Sequence, residues 1–199
     1  MDSLPRPDFS GLIATVGREL ARRDLPFMLI GGQAVLLHGE PRLTQDIDIT
    51  LGVAPDRLSA VLEVCEASRL RPLPDAPQRF VLETFVLPTA ATDTAIRVDF
   101  IFSTTPYESQ AIARAVHVKV GGERIPFASA EDLILHKLFA GRPRDLEDAA
   151  GVVRRKGPQL DWSYMRSWAR EFSAIPGRES LLARLEELKT GSRSSNDVE

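Results

Sequence analysis

Hydrophobic and polar positions recur along the chain with two periods, which predict both helices and short strands. Apolar residues three and four positions apart recur in residues 8–23, 55–69 and 106–115, and again from residue 129 onward. Apolar runs typical of strands lie near residues 27, 46, 80, 96 and 116. This alternation predicts an α/β fold with a mixed, mostly antiparallel small sheet flanked by helices, followed by a helical C-terminal part.

The same pattern predicts how the chain is divided. We expect a core over residues 1–128, a helical part over residues 129–190 packed on that core, and a disordered polar tail over residues 191–199. Two neighbouring strands are predicted at Phe80–Leu87 and Ala95–Phe102, joined as a hairpin, with a proline-rich loop before the first of them.

Composition narrows the class of protein. The chain has 199 residues, of which 43% are hydrophobic and 27% charged, which is enough for one good core and a small second module. Its formal net charge of −3 means that contact with nucleic acid would depend on a local basic patch. Cys65 is the only cysteine, so no disulfide and no cysteine zinc cluster is expected. Without a leader-like or membrane-spanning apolar run, the expected location is cytoplasmic.

The segment Gly31–Thr50 contains the strongest chemical signal. Asp46 and Asp48 alternate with Ile47 and Ile49, so a strand here projects both carboxylates from one face and buries the isoleucines. Two carboxylates on one face repel each other unless a cation lies between them. Oxygen ligands of this kind suit Mg²⁺, or Mn²⁺, which shares its coordination sphere with substrate phosphates.

A glycine pair precedes these carboxylates. Gly31 and Gly32 stand before a short apolar segment that predicts a helix, and backbone N–H groups at a helix N-terminus bind anions such as a triphosphate. Taken alone, a glycine pair is more typical of a turn, and an Asp-x-Asp pair of a solvated strand face. The two signals gain weight because they occur together and in this order.

Asp99 is a third carboxylate, and it lies inside an otherwise apolar predicted strand. A charge in such a position costs several kcal/mol unless a metal or hydrogen bonds compensate it, on the order of the penalty for burying an unpaired polar group. By itself the residue fits an edge-strand charge as well as it fits a functional site.

The opening motif of the nucleotidyltransferase superfamily resembles an ordered set of residues in this chain: Gly31, Gly32, Arg42, Thr44, Asp46 and Asp48. The sequences GGQAV, HG and RLTQDIDI within this segment are similar to those of the branch that contains the bacterial AbiEii and MenA-type toxins. The resemblance implies the nucleotidyltransferase fold. It also implies that Asp46, Asp48 and Asp99 bind the metal, with Asp99 as the base for the attacking hydroxyl. Gly31, Gly32, Arg42 and Thr44 would bind the nucleotide, although many relatives carry serine where this chain has Gly32.

The second half of the resemblance lies in EDLILHKLFAGRPRDLEDAA. It implies that Lys137 contacts the triphosphate and acts with the catalytic carboxylates. It further implies that Asp145 orients the triphosphate or the metal-bound water, and more weakly that Asp148 takes part. Without the resemblance, Lys137 would be interpreted as a surface lysine and the carboxylates as part of a solvated turn.

The function implied is metal-dependent transfer of a nucleoside monophosphate from an NTP such as ATP to a hydroxyl acceptor. Relatives of the toxin branch suggest RNA, for example a tRNA 3′ end, and an antitoxin protein as partner. AMPylation of a protein and modification of a small molecule such as an antibiotic are the alternative reactions. An inactive nucleotide-binding or partner-binding module is the alternative of another class. The basic residues for an RNA contact would be Arg142, Arg144, Arg154, Arg155 and Lys156.

Overall fold

The computed structural model describes residues 8–94 and 96–196, and its helices and strands interleave along the chain as an α/β protein. Short 3₁₀ turns at Pro55–Arg57 and Gly157–Gln159 supplement the regular elements. The regular elements are, in order, α1 (Phe9–Ala21), β1 (Phe27–Leu29), α2 (Gly31–His38), β2 (Asp46–Leu51), α3 (Leu58–Ala67), β3 (Leu70–Pro72), α4 (Pro77–Thr84), β4 (Val86–Ala91), β5 (Arg97–Phe102), α5 (Pro106–Ala113), β6 (Val116–Val120), β7 (Glu123–Phe127), α6 (Ala130–Ala140), α7 (Pro143–Lys156), α8 (Trp162–Ser173) and α9 (Leu181–Asn196).

Within the described residues the strands form one seven-stranded mixed sheet in the order β3-β4-β5-β2-β1-β7-β6. Strand β2 runs parallel to β5, and β1 runs parallel to β7. The remaining neighbours are antiparallel. The mixed α/β fold class predicted from the sequence is confirmed.

The chain forms two compact units, and the entire sheet belongs to the first of them. The first unit comprises residues up to 33 together with residues 44–127, so it also contains α1, α3, α4 and α5. The second comprises residues 34–43 and 128 onward, that is, most of α2 and helices α6 to α9. Residues 34–43 thus group with the C-terminal helices, although they lie within the predicted core of residues 1–128.

Alternation along the central strands gives the sheet one buried face and one partly open face. On β2, Ile47 and Ile49 are buried, and on β5 Val98 and Phe100 are fully buried. The intervening residues of both strands are exposed or half-buried over the first half of each strand. The alternation of polar and apolar residues along these strands therefore determines which side chains remain accessible.

The second unit is built around apolar side chains of its four C-terminal helices. Leu133, Leu138, Met165 and Leu185 are buried there, and α6 contacts α7, α8 and α9. Helix α6 begins as the sequence predicts, because the side chain of Ser129 accepts a hydrogen bond from the backbone N–H of Asp132. Among the described residues no helix has both the length and the apolar character needed to cross a bilayer.

Two local predictions are wrong. The predicted strand Phe80–Leu87 is instead mostly helix α4, which begins at Pro77 and ends where Phe85 adopts a left-handed conformation. Proline in the first turn starts a helix without losing a hydrogen bond, and this outweighs the strand-like composition. The strand follows at β4.

The predicted disordered tail begins inside α9, which continues to Asn196. A helix that is already nucleated extends at little cost, since each added residue adds one hydrogen bond. Residues 197–199 of that predicted tail, and Ala95 of the predicted strand Ala95–Phe102, lie outside the described residues.

Candidate active site

Three carboxylates share the partly open face of the sheet. Asp48 of β2 and Asp99 of β5 are register partners in the parallel pair, and Asp46 lies two residues before Asp48. Register partners on neighbouring strands are about 5 Å apart and point to the same side, as do residues two apart on one strand. The structure thus brings together the three predicted metal ligands on one surface, which we call the carboxylate face.

Asp99 is half-buried in the middle of β5. Its Oδ1 atom is buried and has no hydrogen-bond partner. Burial raises the pKa of the Asp99 carboxyl above its usual range; the nearby Arg97 opposes this rise and Asp46 adds to it. Among the residues that the structure describes, the only cationic group placed against this oxygen is the Arg97 guanidinium, at 3.6 Å, so a metal cation would compete with this arginine for it.

Gly31 allows the backbone to approach this face closely. Its φ angle is +59°, and a β-carbon at this position would lie 1.9 Å from Oδ2 of Asp48. No side chain fits in that space, and the left-handed backbone conformation also favours glycine. Gly31 opens α2, so the N-terminus of that helix lies beside the Asp48 carboxylate.

Gly32 leaves room for the hydroxyl group of Thr44. A β-carbon on residue 32 would lie 2.2 Å from the Thr44 Oγ1 atom. Both predicted nucleotide-binding residues therefore belong to one small surface at the start of α2. Backbone N–H groups in the first turn of a helix have no partner within the helix, and they suit a phosphate anion.

The donor set fits a hard divalent cation. It consists only of carboxylate oxygens, and one of them is buried without a donor. The three carboxyl groups do not converge as they stand, since no three Asp, Glu, His or Cys side chains in the described part of the chain lie close enough to share an ion. Like charges repel, so rotation of the side chains would have to accompany binding of the cation.

The other predicted residues lie in an ion-pair cluster in the second unit. Lys137 Nζ contacts Asp145 Oδ1 at 2.7 Å and Asp148 Oδ2 at 2.9 Å. Arg42 donates two hydrogen bonds to Asp148, at 2.8 and 2.9 Å, and Arg142 donates one to Asp145 at 2.8 Å. We call these five residues the charged cluster.

Burial in the charged cluster corrects the interpretation of Lys137 as a surface lysine, because only 7% of the residue is exposed. Burial tends to raise the pKa of Asp148, but hydrogen bonds from Arg42 and Lys137 outweigh it and lower the pKa. The ammonium of Lys137 is already balanced by two carboxylates. A triphosphate would therefore have to compete with Asp145 and Asp148 for this lysine.

The predicted basic patch is partly engaged within the second unit. Arg154 pairs with Glu40 at 2.6 Å, and Arg155 donates a hydrogen bond to the carbonyl of Gly39. These contacts attach the connection after α2 to helix α7. They leave fewer free cations for RNA phosphates than the sequence suggested.

Sequence reasoning missed one charged residue of the carboxylate face. Arg97 is the register partner of Asp46, and its Nη2 lies 3.6 Å from Asp99 Oδ1, slightly longer than a hydrogen bond. Its position two residues before Asp99 was the available signal, because alternation on a strand places both side chains on one face.

Comparison with solved structures shows the same fold. An antigenic nucleotidyltransferase-like protein from Paracoccidioides brasiliensis is 15% identical, with a TM-score of 0.54 over 88% of this chain and 92% of that one. The antibiotic-resistance factor ANT(2'')-Ia is 16% identical, with a TM-score of 0.51 over 94% of this chain and 92% of that one. JHP933 from Helicobacter pylori is 17% identical, with a TM-score of 0.50 over 98% and 97%.

A search of curated proteins found no match. A family model described as "Nucleotidyltransferase of unknown function (DUF6036)" matches residues 12–180. The toxin branch suggested by the sequence is finer than this match and stays a prediction. Because the match covers most of the chain, and because the carboxylate face and the glycine pair are arranged as described, the protein belongs to this family of nucleotidyltransferases.

Proposed function

We propose that the protein transfers a nucleoside monophosphate from an NTP to a hydroxyl acceptor, using the carboxylate face as its reaction centre. The observation that carries the proposal is the register of Asp48 with Asp99, with Asp46 on the same face and Gly31 against Asp48. Three carboxylates beside the N-terminus of a helix combine a cation site with an anion site. A metal–triphosphate complex needs both.

Each group on this surface has a role in the proposed reaction. When bound, Mg²⁺ or Mn²⁺ would neutralise phosphate charge and orient the reacting oxygens. Asp46, Asp48 and Asp99 would hold it. The backbone N–H groups of Gly31 and Gly32 and the hydroxyl of Thr44 would hold phosphate oxygens.

The reaction is an in-line displacement. The acceptor oxygen forms a bond to the α-phosphorus, and the bond from that phosphorus to the bridging oxygen of the β-phosphate breaks. Its electron pair leaves with pyrophosphate, and the hydroxyl proton passes to the carboxylate of Asp99. Positioning and charge neutralisation supply most of the rate.

Residues of the charged cluster have a second place in the proposal. On the basis of the sequence resemblance, Arg42, Lys137 and Asp145 bind or orient the triphosphate. The double ion pairing of Lys137 supports a role in which its charge is held in a fixed position. The same ion pairs are less compatible with a Lys137 side chain that moves freely to contact a phosphate.

RNA, an antitoxin partner and a toxin activity rest on the resemblance alone. The contacts made by Arg154 and Arg155 weaken the basic patch on which an RNA acceptor would depend. AMPylation of a protein and modification of a small molecule are compatible with the same donor chemistry. An inactive binding module fits less well, because all three carboxylates are present on one face.

The test is pyrophosphate release with each of the four NTPs, with and without Mg²⁺ and bulk tRNA. We expect metal-dependent release with at least one NTP, and we expect Asp48→Asn to abolish it. Asp56→Asn is the matched control, since Asp56 is an exposed aspartate of the same unit. Failure of purified wild-type protein to bind any Mg²⁺–NTP complex would refute the proposed function.

A further inference from the structure

A shallow, open surface cavity of about 520 Å³ lies in the first unit, beside helix α4. This volume is in the range of small-molecule sites, roughly 300–1,000 Å³. Its wall is mainly apolar, and Leu73 and Phe80 are partly exposed, at 36% and 37%. Helix α4 contributes Arg79, Phe80 and Glu83 to the lining, and the segment before it contributes Leu73 and Ala76.

The cavity adjoins the carboxylate face. Pro88 of β4 lines it, and Pro88 is the register partner of Asp99 on β5. Asp99 is in turn the register partner of Asp48 on β2. The side chains of all three therefore point to one side of the sheet, and Pro88, which forms one wall of the cavity, lies about one strand spacing, roughly 5 Å, from Asp99.

The order of groups across this face assigns an approach to each reactant. Gly31, at the N-terminus of α2, lies against Asp48. Asp99 comes next across the sheet, and the cavity lies beyond it on the side away from Asp48. In an in-line displacement the attacking oxygen approaches opposite the leaving pyrophosphate. If the triphosphate lies at the start of α2, the acceptor enters from the side of the cavity.

We propose that this cavity binds the acceptor, and that the acceptor is a small organic molecule with a hydroxyl group and no phosphate. This inference rests on the proposed function, since it names the substrate class of the same site. The acceptor hydroxyl attacks the α-phosphorus of the NTP and gives its proton to Asp99, and pyrophosphate leaves toward α2. The products are the nucleotidylated acceptor and pyrophosphate.

The charges of the cavity support this class of acceptor over RNA. Arg79 and Glu83 form an exposed ion pair at 2.8 Å on the rim of the cavity, so the charge of the arginine has a partner one helical turn away. Asp75 adds a second carboxylate to the wall, and the three charged side chains sum to one negative charge. A polyanion would be repelled here, because RNA binding depends on clustered cations that neutralise phosphates. The apolar wall suits a neutral or cationic molecule with a hydrophobic body.

The experiment fills the cavity while leaving the reaction centre unchanged. Ala76 is exposed and lines the cavity, so Ala76→Trp places a large side chain in it without disturbing a core. Phe80→Ala removes the aromatic wall and enlarges the space. Ala113→Trp is the matched control, since Ala113 is an exposed alanine on helix α5 of the same unit.

Transfer is measured with NTP labelled on the α-phosphate. The probes are bulk tRNA and a panel of sugar alcohols, amino sugars, nucleosides and phenols. Acid precipitation separates labelled RNA from labelled small products. Binding of the Mg²⁺–NTP complex is measured separately, by the shift in melting temperature.

We expect wild-type protein to label at least one small compound and not tRNA. Ala76→Trp and Phe80→Ala should each raise KM for that compound about tenfold or more, with KM for NTP unchanged. Ala113→Trp should behave as wild type. Label in tRNA, label in no compound of the panel, or wild-type KM in both cavity variants would overturn the inference. Absence of Mg²⁺–NTP binding in wild-type protein would instead show that the proposed function itself is wrong.

Discussion

The Oγ1 atom of Thr44 lies 2.2 Å from the point where residue 32 would carry its β-carbon, so Gly32 and Thr44 share one space. Many proteins with the motif that this chain resembles carry serine at the position of Gly32, so this position itself supplies no hydroxyl to a phosphate. The structure brings the hydroxyl of Thr44 to the same place from the other end of the motif.

The first prediction follows from that shared space. Gly32→Ser alone should raise KM for NTP, because its side chain displaces Thr44. The double variant Gly32→Ser with Thr44→Ala should recover most of the lost affinity, since the serine then supplies the only hydroxyl. Residues in contact commonly show coupling of about 1 kcal/mol or more, so a double-mutant cycle on KM should resolve it. Additive effects of the two substitutions would contradict the shared role.

The second prediction concerns the contact between Gly31 and Asp48. Gly31→Ala should abolish nucleotidyl transfer, since its β-carbon would have to displace the Asp48 carboxylate by more than a minor adjustment. Gly122→Ala is the control for backbone strain alone, because Gly122 has a φ of +90° with open space around it. Initial rates and melting temperatures of the two variants separate the effects. Equal losses of activity in the two variants would show that backbone strain, rather than displacement of the Asp48 carboxylate, causes the loss.

The third prediction tests the metal ligands. Asp48→Asn keeps the shape of the side chain but removes a negative charge, so we expect kcat to fall by about three orders of magnitude, roughly 4 kcal/mol of barrier. Excess Mg²⁺ should not restore the rate. Steady-state kinetics across a Mg²⁺ titration measures both. Full recovery at high Mg²⁺ would assign Asp48 to metal affinity alone.

The fourth prediction gives Arg97 two effects of opposite sign. Arg97→Gln removes the positive charge beside Asp99. The carboxylate face should then bind Mn²⁺ severalfold more tightly and the anionic NTP more weakly, as expected from Coulomb interactions near a protein surface. Electron paramagnetic resonance during a Mn²⁺ titration measures the affinity for the metal, and KM for NTP reports the effect on the nucleotide. Arg57→Gln, at an exposed arginine of the same unit, should change neither. Unchanged Mn²⁺ affinity in Arg97→Gln would remove this arginine from the site.

The fifth prediction concerns pH and the charged cluster. The pKa of Asp148 is lowered in the folded protein, so its ionised form stabilises the fold above the unfolded value, near 3.9, and this contribution is lost as pH falls through the folded pKa. Asp148→Asn should therefore destabilise the protein at neutral pH by about 2 kcal/mol, the scale of hydrogen bonds to charged groups. The difference from wild type should shrink as pH falls through the lowered pKa of Asp148. Urea unfolding at several pH values measures it, and a pH-independent difference would contradict the ion-pair explanation.

The alternation of polar and apolar residues was sufficient to predict the two strands that carry the carboxylates, β2 and β5. Asp46, Asp48 and Asp99 alternate with buried residues, and alternation alone decides the face of a strand. Which strands become neighbours depends on the whole chain. The register of Asp48 with Asp99 could therefore be proposed only through the family resemblance.

Helix α4 and the burial of Lys137 could not be predicted from the sequence, because both depend on tertiary contacts. Composition gave Phe80–Leu87 the character of a strand, but Pro77 starts a helix that tertiary packing of Val81 completes. Lys137 looked like a surface residue because its partners come from the next helix. Burial of a charge depends on partners in three dimensions, and the spacing of one helix does not reveal them.

The connection from α2 to β2 has a consequence for proteolysis. Leu43 is 90% exposed and follows an arginine, so the Arg42–Leu43 bond has the sequence of a trypsin site. However, His38 contacts the carbonyl of Ala128, Glu40 pairs with Arg154, and Arg42 is bound to Asp148. A protease must draw an extended segment into its cleft, and here that requires several contacts to open together. Trypsin should therefore cleave the Arg42–Leu43 bond slowly, although the Leu43 side chain is exposed.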